Sequence, residues 1–564
     1  MSILSDSKRL LQSIWPYVVL AVLARLLILP LHQAISFDQA HYLRMAAHMA
    51  RGHWLSAFHP YWTPGYPFIT ALVSLIVRNF ELAGRLANIL VGSLTVVPIM
   101  LFSREIIGRE RAMWPALFYA FFPPLLLQHT VPLAEPAYAF FGFTGMWLGW
   151  KALSKNVLLC ALPAGLAFGM AYLSKPEGFG YPVVFSGIAA ALLLVRVVKR
   201  RRSSAGGILL LAWAGFLIAA FPYLLYLRGE AGYWTLSAKG RAMQQFQMTY
   251  FTPEADDVYE DLDPENTTFG MDEIFHDGTF LRKDTERGAR VPVRLDLLIK
   301  KYFTHLYRNL KYDMPAVLTF PVFILFALGL FGRPWPKQGV PAGLYVLAFH
   351  VFFWFVLLPM FVVHERYLTA MLPAAAIWIG RGGVFLKEWT EKTVAYSDAL
   401  RTHSSRIGIG LTVLFVLGLS FIPEAAKLVQ GKAPSGDEWA DPVEEKKAGL
   451  WIKAHHSGPP PVIMSRNKAV DFYAGNYNVR QGVSYPLDPP ERVLAYARHK
   501  EVDYFVVNER YIHRNPNIQS WLEQTPPGLE LVYSDTGPGE IRIRVYAWTD
   551  EKGISGSSPQ EGGR

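Results

Sequence analysis

The stretch IWPYVVLAVLARLLILPL, residues 14–31, is an apolar run that contains a single charged residue, Arg25. A transmembrane helix needs about 20 apolar residues to cross roughly 30 Å of hydrocarbon. Lys8 and Arg9 precede the run as in a signal peptide, but no small-residue cleavage site follows, which favours an uncleaved first span. Similar runs along the chain predict about eleven spans, at residues 14–31, 86–103, 112–128, 134–150, 156–173, 179–198, 206–227, 315–332, 340–362, 367–385 and 407–423. The shorter run GYPFITALVSLIV (65–77) predicts an interfacial helix.

The composition agrees with a membrane protein. Of the 564 residues, 52% are hydrophobic and 18% are charged, and the mean hydropathy is +0.20. A soluble chain of this length is usually more charged and less apolar. Cys160 is the only cysteine and lies in an apolar run, which excludes an intrachain disulfide and disfavours a zinc–thiolate site.

The Lys and Arg residues between the runs predict the orientation of the chain. With the N-terminus inside, nineteen of them fall on the cytoplasmic side, against Lys175 and Arg366 in the short outer connections. Cytoplasmic loops of membrane proteins are enriched in Lys and Arg, so the topology is N-in and C-out. The same distribution explains the net charge of +10 without a nucleic-acid partner.

Three larger segments then lie on the outer side: residues 32–85, residues 228–314, and the chain after about residue 425. In the last segment, helix-like stretches (EEKKAGLWIKAHH, PERVLAYARHK) alternate with strand-like ones (PVIMS, VDYFVVNE, LELVYSD, IRIRVYAW). Such alternation is typical of an α/β domain. We predict a mainly α membrane helix bundle over 1–425, a small soluble periplasmic α/β domain over 426–550, and a disordered tail over 551–564. The acidic run 254–266 lacks EF-hand spacing and predicts a solvated loop.

Asp38 is the first candidate for chemistry, because it follows the first span closely and begins a helix-like stretch, FDQAHYLRMA. Its neighbours are aromatic and rich in histidine. One interpretation is a helix N-cap, where an Asp carboxylate satisfies free backbone N–H groups. The functional interpretation is a general base that takes a proton from an acceptor hydroxyl.

Three further clusters of charge lie at predicted outer span ends. The first is QHTVPLAEPAYAFF with Glu135, where the structural interpretation is helix–dipole complementarity. The second is AYLSKPEGFGYP with Lys175 and Glu177, where it is an interfacial ion pair. The third is VVHERYLTAMLP with His364, Glu365 and Arg366, where it is snorkelling of a long side chain.

Together these clusters place carboxylates and cations on one membrane face, as a lipid-phosphate sugar donor requires. When the sugar–phosphate bond breaks, negative charge builds on the phosphate, and fixed Lys and Arg side chains stabilise it. A carboxylate must deprotonate the incoming hydroxyl in the same step. The residues therefore predict a transferase that acts on a lipid-phosphate-linked sugar.

The order of these motifs resembles the protein O-mannosyltransferase and aminoarabinose-transferase superfamily, which are membrane glycosyltransferases of the GT-C fold. The resemblance covers residues 1–425 and is carried by FDQAHYLRMA with GYP, ELAGRLANILVGSLTVVP, LAEPAYAFF, LSKPEG and HERYLTAMLP. It implies a GT-C helix bundle, a polyprenyl-phosphate-sugar donor and inversion at the anomeric carbon. It also implies a multi-pass protein of the bacterial inner membrane, with its active site and C-terminal domain on the periplasmic face. The acceptor hydroxyl would belong to a lipid, a glycan or a protein.

Carried over residue by residue, the resemblance makes Asp38 the catalytic base and Glu135 the acid of the second outer loop. It makes Lys175 and Arg366 phosphate contacts. Substrate binding is further assigned to Tyr42, Tyr66, Glu177, His364 and Glu365.

One departure from the family pattern concerns the first loop. Many members have Asp-Glu there, whereas Gln39 follows Asp38, which weakens a paired-carboxylate or metal site and the assignment to the protein-mannosylating subclass. A divalent metal cofactor is left open, with His41 as a weak candidate because it lies three positions after Asp38 and can face the same way on a helix.

Two other classes of function stay open at this point. A transporter or flippase of lipid-linked sugars would have paired repeats and broken helices with polar residues near the midplane, and the sequence has no strong repeat. A sensor whose C-terminal domain binds glycans without catalysis is the third hypothesis. The identity of the sugar and of the acceptor is not determined by the sequence.

Overall fold

A computed structural model of the chain describes residues 2–198, 204–237, 295–360, 365–396, 401–418, 441–478 and 482–549. The described part is mainly helical and divides into two compact units. Unit 1 comprises residues 1–31, 85–224 and 293–439, and unit 2 comprises residues 32–84, 225–292 and 440–564. The acidic run 254–266, most of the predicted outer segment 228–314 and the predicted tail 551–564 lie outside the described residues.

The helices of unit 1 follow the apolar runs of the sequence. They are Ser2–Ile28, Phe80–Leu94 (which begins in unit 2), Val96–Ile106, Met113–Phe121, Pro123–Gln128, Glu135–Lys155, Ala161–Ser174, Gly180–Val198, Ala205–Ala231 (which ends in unit 2), Leu295–Arg308, Met314–Leu318, Phe320–Phe331, Val340–Val351, Glu365–Thr369, Leu372–Val394 and Ser404–Val413. Short 3₁₀ or π turns extend several of them, as at Leu29–Leu31, Pro176–Phe179, Asn309–Asp313 and Phe352–Leu357.

By length and apolar composition, five helices in the described ranges can cross a membrane, or six if one bent pair is counted as a single span. The remaining predicted spans coincide with shorter, more polar or broken helices. The predicted span 112–128, for example, is interrupted at Phe122 because Pro123 and Pro124 lack the N–H groups that would continue the helix. An apolar helical membrane protein is confirmed; the count of about eleven and the N-in/C-out orientation stay predictions.

A buried arginine donates a hydrogen bond to a backbone carbonyl at the helix break at Phe122. Arg25, fully buried, donates from Nη1 to the carbonyl oxygen of Ala120 at 3.3 Å. That carbonyl would accept from the N–H of residue 124 in a continuous helix, and Pro124 has none. The Nε and Nη2 of Arg25 lie 3.1 and 3.0 Å from Nδ1 of His129. The one charge in the first apolar run therefore anchors the segment that leads to Glu135.

Unit 2 contains a four-stranded sheet of β1 (Ile463–Ser465), β2 (Tyr504–Asn508), β3 (Leu529–Gly537) and β4 (Ile541–Trp548). The strand order is β1-β2-β4-β3, with β1 parallel to β2 and the other neighbours antiparallel. The helices of this unit are Phe37–Ala50, Gly65–Ser74, Val443–His455, Ala469–Tyr473 and Pro490–His499. The predicted strands and the two predicted helices after residue 440 are confirmed.

Alternation along β2 explains why helices cover both faces of the sheet. Tyr504 and Val506 pack with Ala448 and Ile452 of helix Val443–His455 on one face. Phe505 and Val507 pack on the other face in a second core that includes residues of helix Pro490–His499. Successive side chains of a strand point to opposite faces, so an all-buried strand needs a layer on each side.

A buried acidic pair lies at the start of helix Val443–His455. Glu444 is bound by Arg510 through two hydrogen bonds, of 2.8 and 3.2 Å. Glu445, 1% exposed, accepts from the side-chain amides of Asn467 at 2.5 Å and Asn508 at 3.1 Å. Burial, followed by the adjacent Glu444 carboxylate, raises the pKa of Glu445 well above its usual value.

This raised pKa predicts a pH dependence of stability. Between its unfolded and its folded pKa, Glu445 holds a proton only in the folded domain, so the free energy of unfolding falls as pH rises through the folded pKa. The slope for one proton is at most about 1.4 kcal/mol per pH unit. Thermal unfolding of the detergent-solubilised chain should show a melting temperature that falls between acidic and alkaline pH.

In Glu445→Gln this pH dependence should be weaker, because Gln stays neutral. Glu509→Gln is the control: Glu509 pairs with Arg542 at the surface, and hydrogen bonds from Arg542 lower the pKa of its carboxyl. From about pH 6 upward Glu509 is ionised in both the folded and the unfolded chain, so over that range this variant should keep the pH dependence of the unchanged chain. Equal pH profiles for Glu445→Gln and the unchanged chain would contradict the assignment.

Candidate active site

Unit 1 brings together three of the charged residues that the sequence singles out. Glu135 Oε1 lies 2.8 Å from Lys175 Nζ and 3.6 Å from Arg366 Nε. The Glu135 side chain is 3% exposed, that of Lys175 is 9% exposed and that of Arg366 is 23% exposed. Burial weakens solvent screening, so this ion pair is stronger than one at the surface. Two cations face one buried carboxylate, an arrangement that can accept an anionic ligand.

The chain around Lys175 is fixed by the proline that follows it. Helix Ala161–Ser174 ends at Lys175, whose backbone is extended (φ −150°, ψ 136°) because the residue before a proline disfavours the helical region. Pro176 then begins a short 3₁₀ turn, and the N–H of Gly178 donates to the carbonyl of Lys175 at 2.8 Å. A Cβ on Gly178 would lie 2.4 Å from the backbone nitrogen of Tyr172, so only glycine fits here.

Glu135 begins helix Glu135–Lys155, with Pro136 in its first turn. The loop before it is held by Asn88, whose Nδ2 donates to the carbonyls of Val131 at 2.6 Å and Leu133 at 2.7 Å. With the contact between Arg25 and His129, this places the carboxylate by buried hydrogen bonds from two other helices. The first turn of a helix also favours negative charge.

Arg366 belongs to helix Glu365–Thr369. Its carbonyl accepts from Gln128 Nε2 at 3.2 Å and from Thr369 Oγ1 at 2.5 Å. Tyr367 lies beside both cations, with Lys175 Nζ 4.0 Å and Arg366 Cζ 5.2 Å from its ring centroid. Such cation–π contacts orient the charged groups.

The remaining predicted residues of unit 1 have different surroundings. Glu177 lies in the 3₁₀ turn after Lys175, and its buried Oε2 makes no hydrogen bond within the described residues. His364 lies outside the described residues, and Glu365 is described only as the first residue of its helix.

Asp38 lies in unit 2, in the first turn of helix Phe37–Ala50 and partly exposed. The N-cap of this helix is Ser36, which makes no side-chain capping hydrogen bond. The simple N-cap interpretation of Asp38 is therefore wrong by two positions, although a carboxylate in the first turn still complements the helix dipole.

An aromatic cluster surrounds the next turn of this helix. His41, 1% exposed, stacks on Trp62 with ring centroids 5.0 Å apart, and its ring also contacts Phe37. Tyr42 meets Trp62 and Tyr66 edge to face, at 5.6 and 5.5 Å. These contacts pack helix Phe37–Ala50 against the segment that contains helix Gly65–Ser74.

This cluster contains three residues with predicted roles: His41 in metal binding, and Tyr42 and Tyr66 in substrate binding. In the described ranges, no three His, Cys, Asp or Glu residues are grouped so that they could hold a metal ion. Tyr66 is fully buried and donates from its hydroxyl to the carbonyl of Gly84 at 2.9 Å. Tyr42 and Tyr66 therefore join elements of the first outer segment, and their assignment to substrate stays a prediction.

Sequence reasoning missed several residues of this region. Asn88 and Gln128 act through backbone carbonyls, which no motif reveals. Tyr367 follows Arg366 directly in the HERY motif, and this adjacency was the one available signal. Arg25 was noted as the single charge in its span, and the structure shows it bonded to Ala120 and His129 at the helix break.

Residues 59–226, which include Glu135 and Lys175, match the family model described as dolichyl-phosphate-mannose-protein mannosyltransferase. No curated protein sequence is detectably similar to the chain.

Solved structures with the same fold include ArnT from Cupriavidus metallidurans, which is 13% identical. The apo form has a TM-score of 0.54, covering 95% of this chain and 98% of that one. The form bound to undecaprenyl phosphate has a TM-score of 0.52, covering 97% and 100%. The archaeal oligosaccharyltransferase AglB from Archaeoglobus fulgidus, in complex with an inhibitory peptide and a dolichol-phosphate, is 12% identical with a TM-score of 0.50, covering 89% and 70%.

The family match and the shared fold confirm the resemblance drawn from the sequence motifs. The chain has the fold of these membrane proteins, and residues 59–226 match the mannosyltransferase family model.

Proposed function

We propose that the protein transfers a sugar from a polyprenyl-phosphate-linked donor to an acceptor hydroxyl on the periplasmic face of the bacterial inner membrane. The observation that carries this proposal is the buried cluster of Glu135, Lys175 and Arg366. The presence of undecaprenyl phosphate and dolichol-phosphate in structures with the same fold supports a donor of this class. The acceptor hydroxyl belongs to a lipid, a glycan or a protein.

In the proposed step, Asp38 takes the proton from the acceptor hydroxyl while that oxygen attacks the anomeric carbon. The bond between this carbon and the phosphate oxygen breaks, and the polyprenyl phosphate leaves with the electron pair. Attack opposite the leaving group inverts the anomeric carbon.

Lys175 and Arg366 stabilise the charge that develops on the departing phosphate. Guanidinium and ammonium groups form the strongest hydrogen bonds to phosphate oxygens. Glu135 keeps both cations oriented, and Tyr367 limits the movement of their side chains.

The function is tested by incubating the purified protein, in lipid nanodiscs, with undecaprenyl-phosphate-linked sugars and membrane acceptors. Release of free undecaprenyl phosphate together with a glycosylated product supports the proposal. Movement of the intact lipid-linked sugar across a vesicle membrane, with no release of undecaprenyl phosphate, would identify a transporter instead.

Phosphate contacts are tested by binding of undecaprenyl phosphate itself, which needs no knowledge of the sugar. Lys175→Ala and Arg366→Ala should each weaken binding about 10- to 100-fold, because each removes a hydrogen bond between charged groups. The measurement is the ligand-induced rise in melting temperature across a titration.

Lys151→Ala is the matched control for these variants. Lys151 lies in the same helix as Glu135 but near its other end, and it is also ion-paired, with Glu105. Its removal should leave binding unchanged. Unchanged binding in Lys175→Ala and Arg366→Ala would refute the assigned phosphate contacts.

A further inference from the structure

Helix Leu295–Arg308 lies in the predicted outer segment 228–314 and was not expected from the sequence. It continues through a π turn at Asn309–Asp313 and helix Met314–Leu318 as far as Thr319, where the chain bends by 100° into the apolar helix Phe320–Phe331. Thr319 has a positive φ of 50°, which is uncommon for a β-branched residue and marks a defined corner. The helix therefore runs across the direction of the membrane-type helix that follows it.

One side of helix Leu295–Arg308 is fixed to the end of another span. The hydroxyl of Tyr302 donates to the carbonyl of Phe355 at 2.6 Å, and His305 Nδ1 lies 3.2 Å from the carbonyl of Pro359. One turn later, Asn309 Nδ2 donates to the carbonyl of Trp354 at 3.3 Å. These carbonyls belong to the irregular end of the segment Val340–Met360, so one side of the helix is packed against the rest of unit 1.

A second side is apolar and exposed. Leu295, Ile299, Phe303 and Tyr307 recur every four residues and are 65%, 49%, 61% and 58% exposed. At about 100° per residue they form one stripe along the helix. Four large hydrophobic side chains in a continuous stripe are unfavourable in water and mark a contact surface.

The third side is basic. Lys300 and Arg308 follow the apolar stripe around the helix, and Lys311 continues this side in the π turn. Lys311 is exposed and donates from Nζ to the hydroxyl of Tyr307 at 2.7 Å, which places its charge at the border of the apolar stripe. A helix with an apolar face beside a basic face is typical of binding in the membrane–water interface.

We propose that helix Leu295–Arg308 lies in the plane of the bilayer surface, with its apolar stripe in the acyl boundary and its basic side against anionic phospholipid headgroups. Three observations favour this occupant: the 100° corner that joins the helix directly to a membrane-type helix, the exposed apolar stripe, and the adjoining positive charge. Interfacial helices of this kind bury their apolar face about 5–10 Å below the headgroup level. Lys and Arg residues near such a surface attract anionic lipids.

The membrane contact of helix Leu295–Arg308 also affects the segment that leads to Arg366. The packed side of this helix holds the end of the segment Val340–Met360, a few residues before Arg366. Anchoring in the bilayer surface would thereby fix the level at which the helix Glu365–Thr369 begins. An effect of this anchoring on phosphate binding by Arg366 rests on the proposed function, whereas the membrane contact itself does not.

The contact is tested by depth-dependent quenching of a single fluorescent label. Cys160, the one native cysteine, is replaced by Ser, and Phe303→Cys or Thr304→Cys is introduced in that background. Both positions are exposed, but Phe303 lies on the apolar stripe and Thr304 lies about 100° further around the helix, on the basic side. Each full-length protein is labelled with bimane and reconstituted in phosphatidylcholine vesicles with brominated acyl chains.

We expect several-fold stronger quenching by bromine near the headgroup end of the chain at position 303 than at position 304, and the reverse order for aqueous iodide. Adding phosphatidylglycerol should increase the quenching at 303, and Lys300→Gln with Lys311→Gln should remove that increase. Equal access of iodide to both positions would overturn the proposal. Quenching that is absent at position 303, together with a disulfide between two chains of the unlabelled Phe303→Cys protein under an added oxidant, would show instead that the stripe binds a second copy of the chain. Because no sugar transfer is measured, this test can fail while the transferase proposal holds.

Discussion

Asp38→Asn should abolish sugar transfer while leaving the binding of undecaprenyl phosphate intact. General base catalysis contributes about 10²- to 10⁴-fold, and asparagine cannot accept the proton from the acceptor hydroxyl. The substitution keeps the size of the side chain at a partly exposed position in the first turn of helix Phe37–Ala50, so the fold should be unaffected. The measurement compares the release of undecaprenyl phosphate with its binding in the same preparation.

Gln39→Asn is the control for this experiment. Gln39 is the adjacent residue on the same helix and is buried, and it has no proton-accepting carboxylate. It should retain transfer at a rate much closer to that of the unchanged protein. Normal turnover by Asp38→Asn would show that another group acts as the base, and loss of both transfer and binding would indicate a structural role for Asp38.

Removal of the chain after residue 440 should also abolish transfer, because unit 2 joins the first outer segment to the C-terminal domain. Ile35, Ala40 and Leu43 are buried in one hydrophobic cluster with Phe472 and Tyr473 of the C-terminal domain. Without that domain, helix Phe37–Ala50, which contains Asp38, would lose the apolar side chains that pack against Ala40 and Leu43. A catalytic group misplaced by about 1 Å can cost about 100-fold in rate.

The packed contact between the first outer segment and the C-terminal domain is called the joint below. Polar contacts reinforce the joint at the start of the first outer segment. The Asp441 carboxylate accepts from the N–H groups of Gln33 and Ala34. Burial alone would raise the pKa of Asp441, but the hydrogen bonds from His32 and from these N–H groups hold it below its usual value. Asp441 is therefore ionised at neutral pH and fixes the backbone just ahead of Asp38.

Glu81 and Arg44 extend the joint along the rest of the segment. Lys446 Nζ lies 3.2 Å from Glu81 Oε2, which also accepts from the hydroxyl of Tyr473 at 3.1 Å. Arg44, fully buried, donates to the carbonyl of Asn478. Glu81 and Arg44 are thus both bound by the C-terminal domain, and a buried charge that loses its partner is strongly destabilising.

A point substitution tests the same joint without deleting a domain. Phe472→Ala removes a side chain from the shared cluster, a change that costs about 3–5 kcal/mol when the residue is buried. Transfer should fall about 100-fold, and the amides of helix Phe37–Ala50 should exchange with deuterium faster. Arg542→Ala, at the surface of β4, should change neither property. Normal transfer by the truncated chain would show that the C-terminal domain acts separately from catalysis, as in the sensor hypothesis.

The sequence predicted the secondary structure of the C-terminal domain closely. Its strands alternate or are fully apolar, and its helices begin with acidic residues, so local chemistry and tertiary structure agree. The membrane helices were also located well, but the break at Phe122 and the corner at Thr319 were missed. Hydropathy averages over a window and does not register where a proline removes a hydrogen bond or where a chain turns by 100°.

The candidate site was predicted only in part. Glu135, Lys175 and Arg366 were identified because charge at the end of an apolar run is costly and therefore informative. The support for these groups from Asn88, Gln128 and Tyr367 was not predicted, because contacts between side chains and carbonyls remote in sequence leave no local pattern.

By itself, the sequence determined that the chain is a helical membrane protein with a small α/β domain, and it identified which charged residues are candidates for chemistry. Those conclusions follow from length, hydropathy and residue type, which are local properties. Only the tertiary structure decided that Glu135, Lys175 and Arg366 meet, and that the first outer segment and the C-terminal domain share a core. Both depend on contacts between residues remote in sequence, whose energy is set by burial and distance rather than by any neighbouring residue.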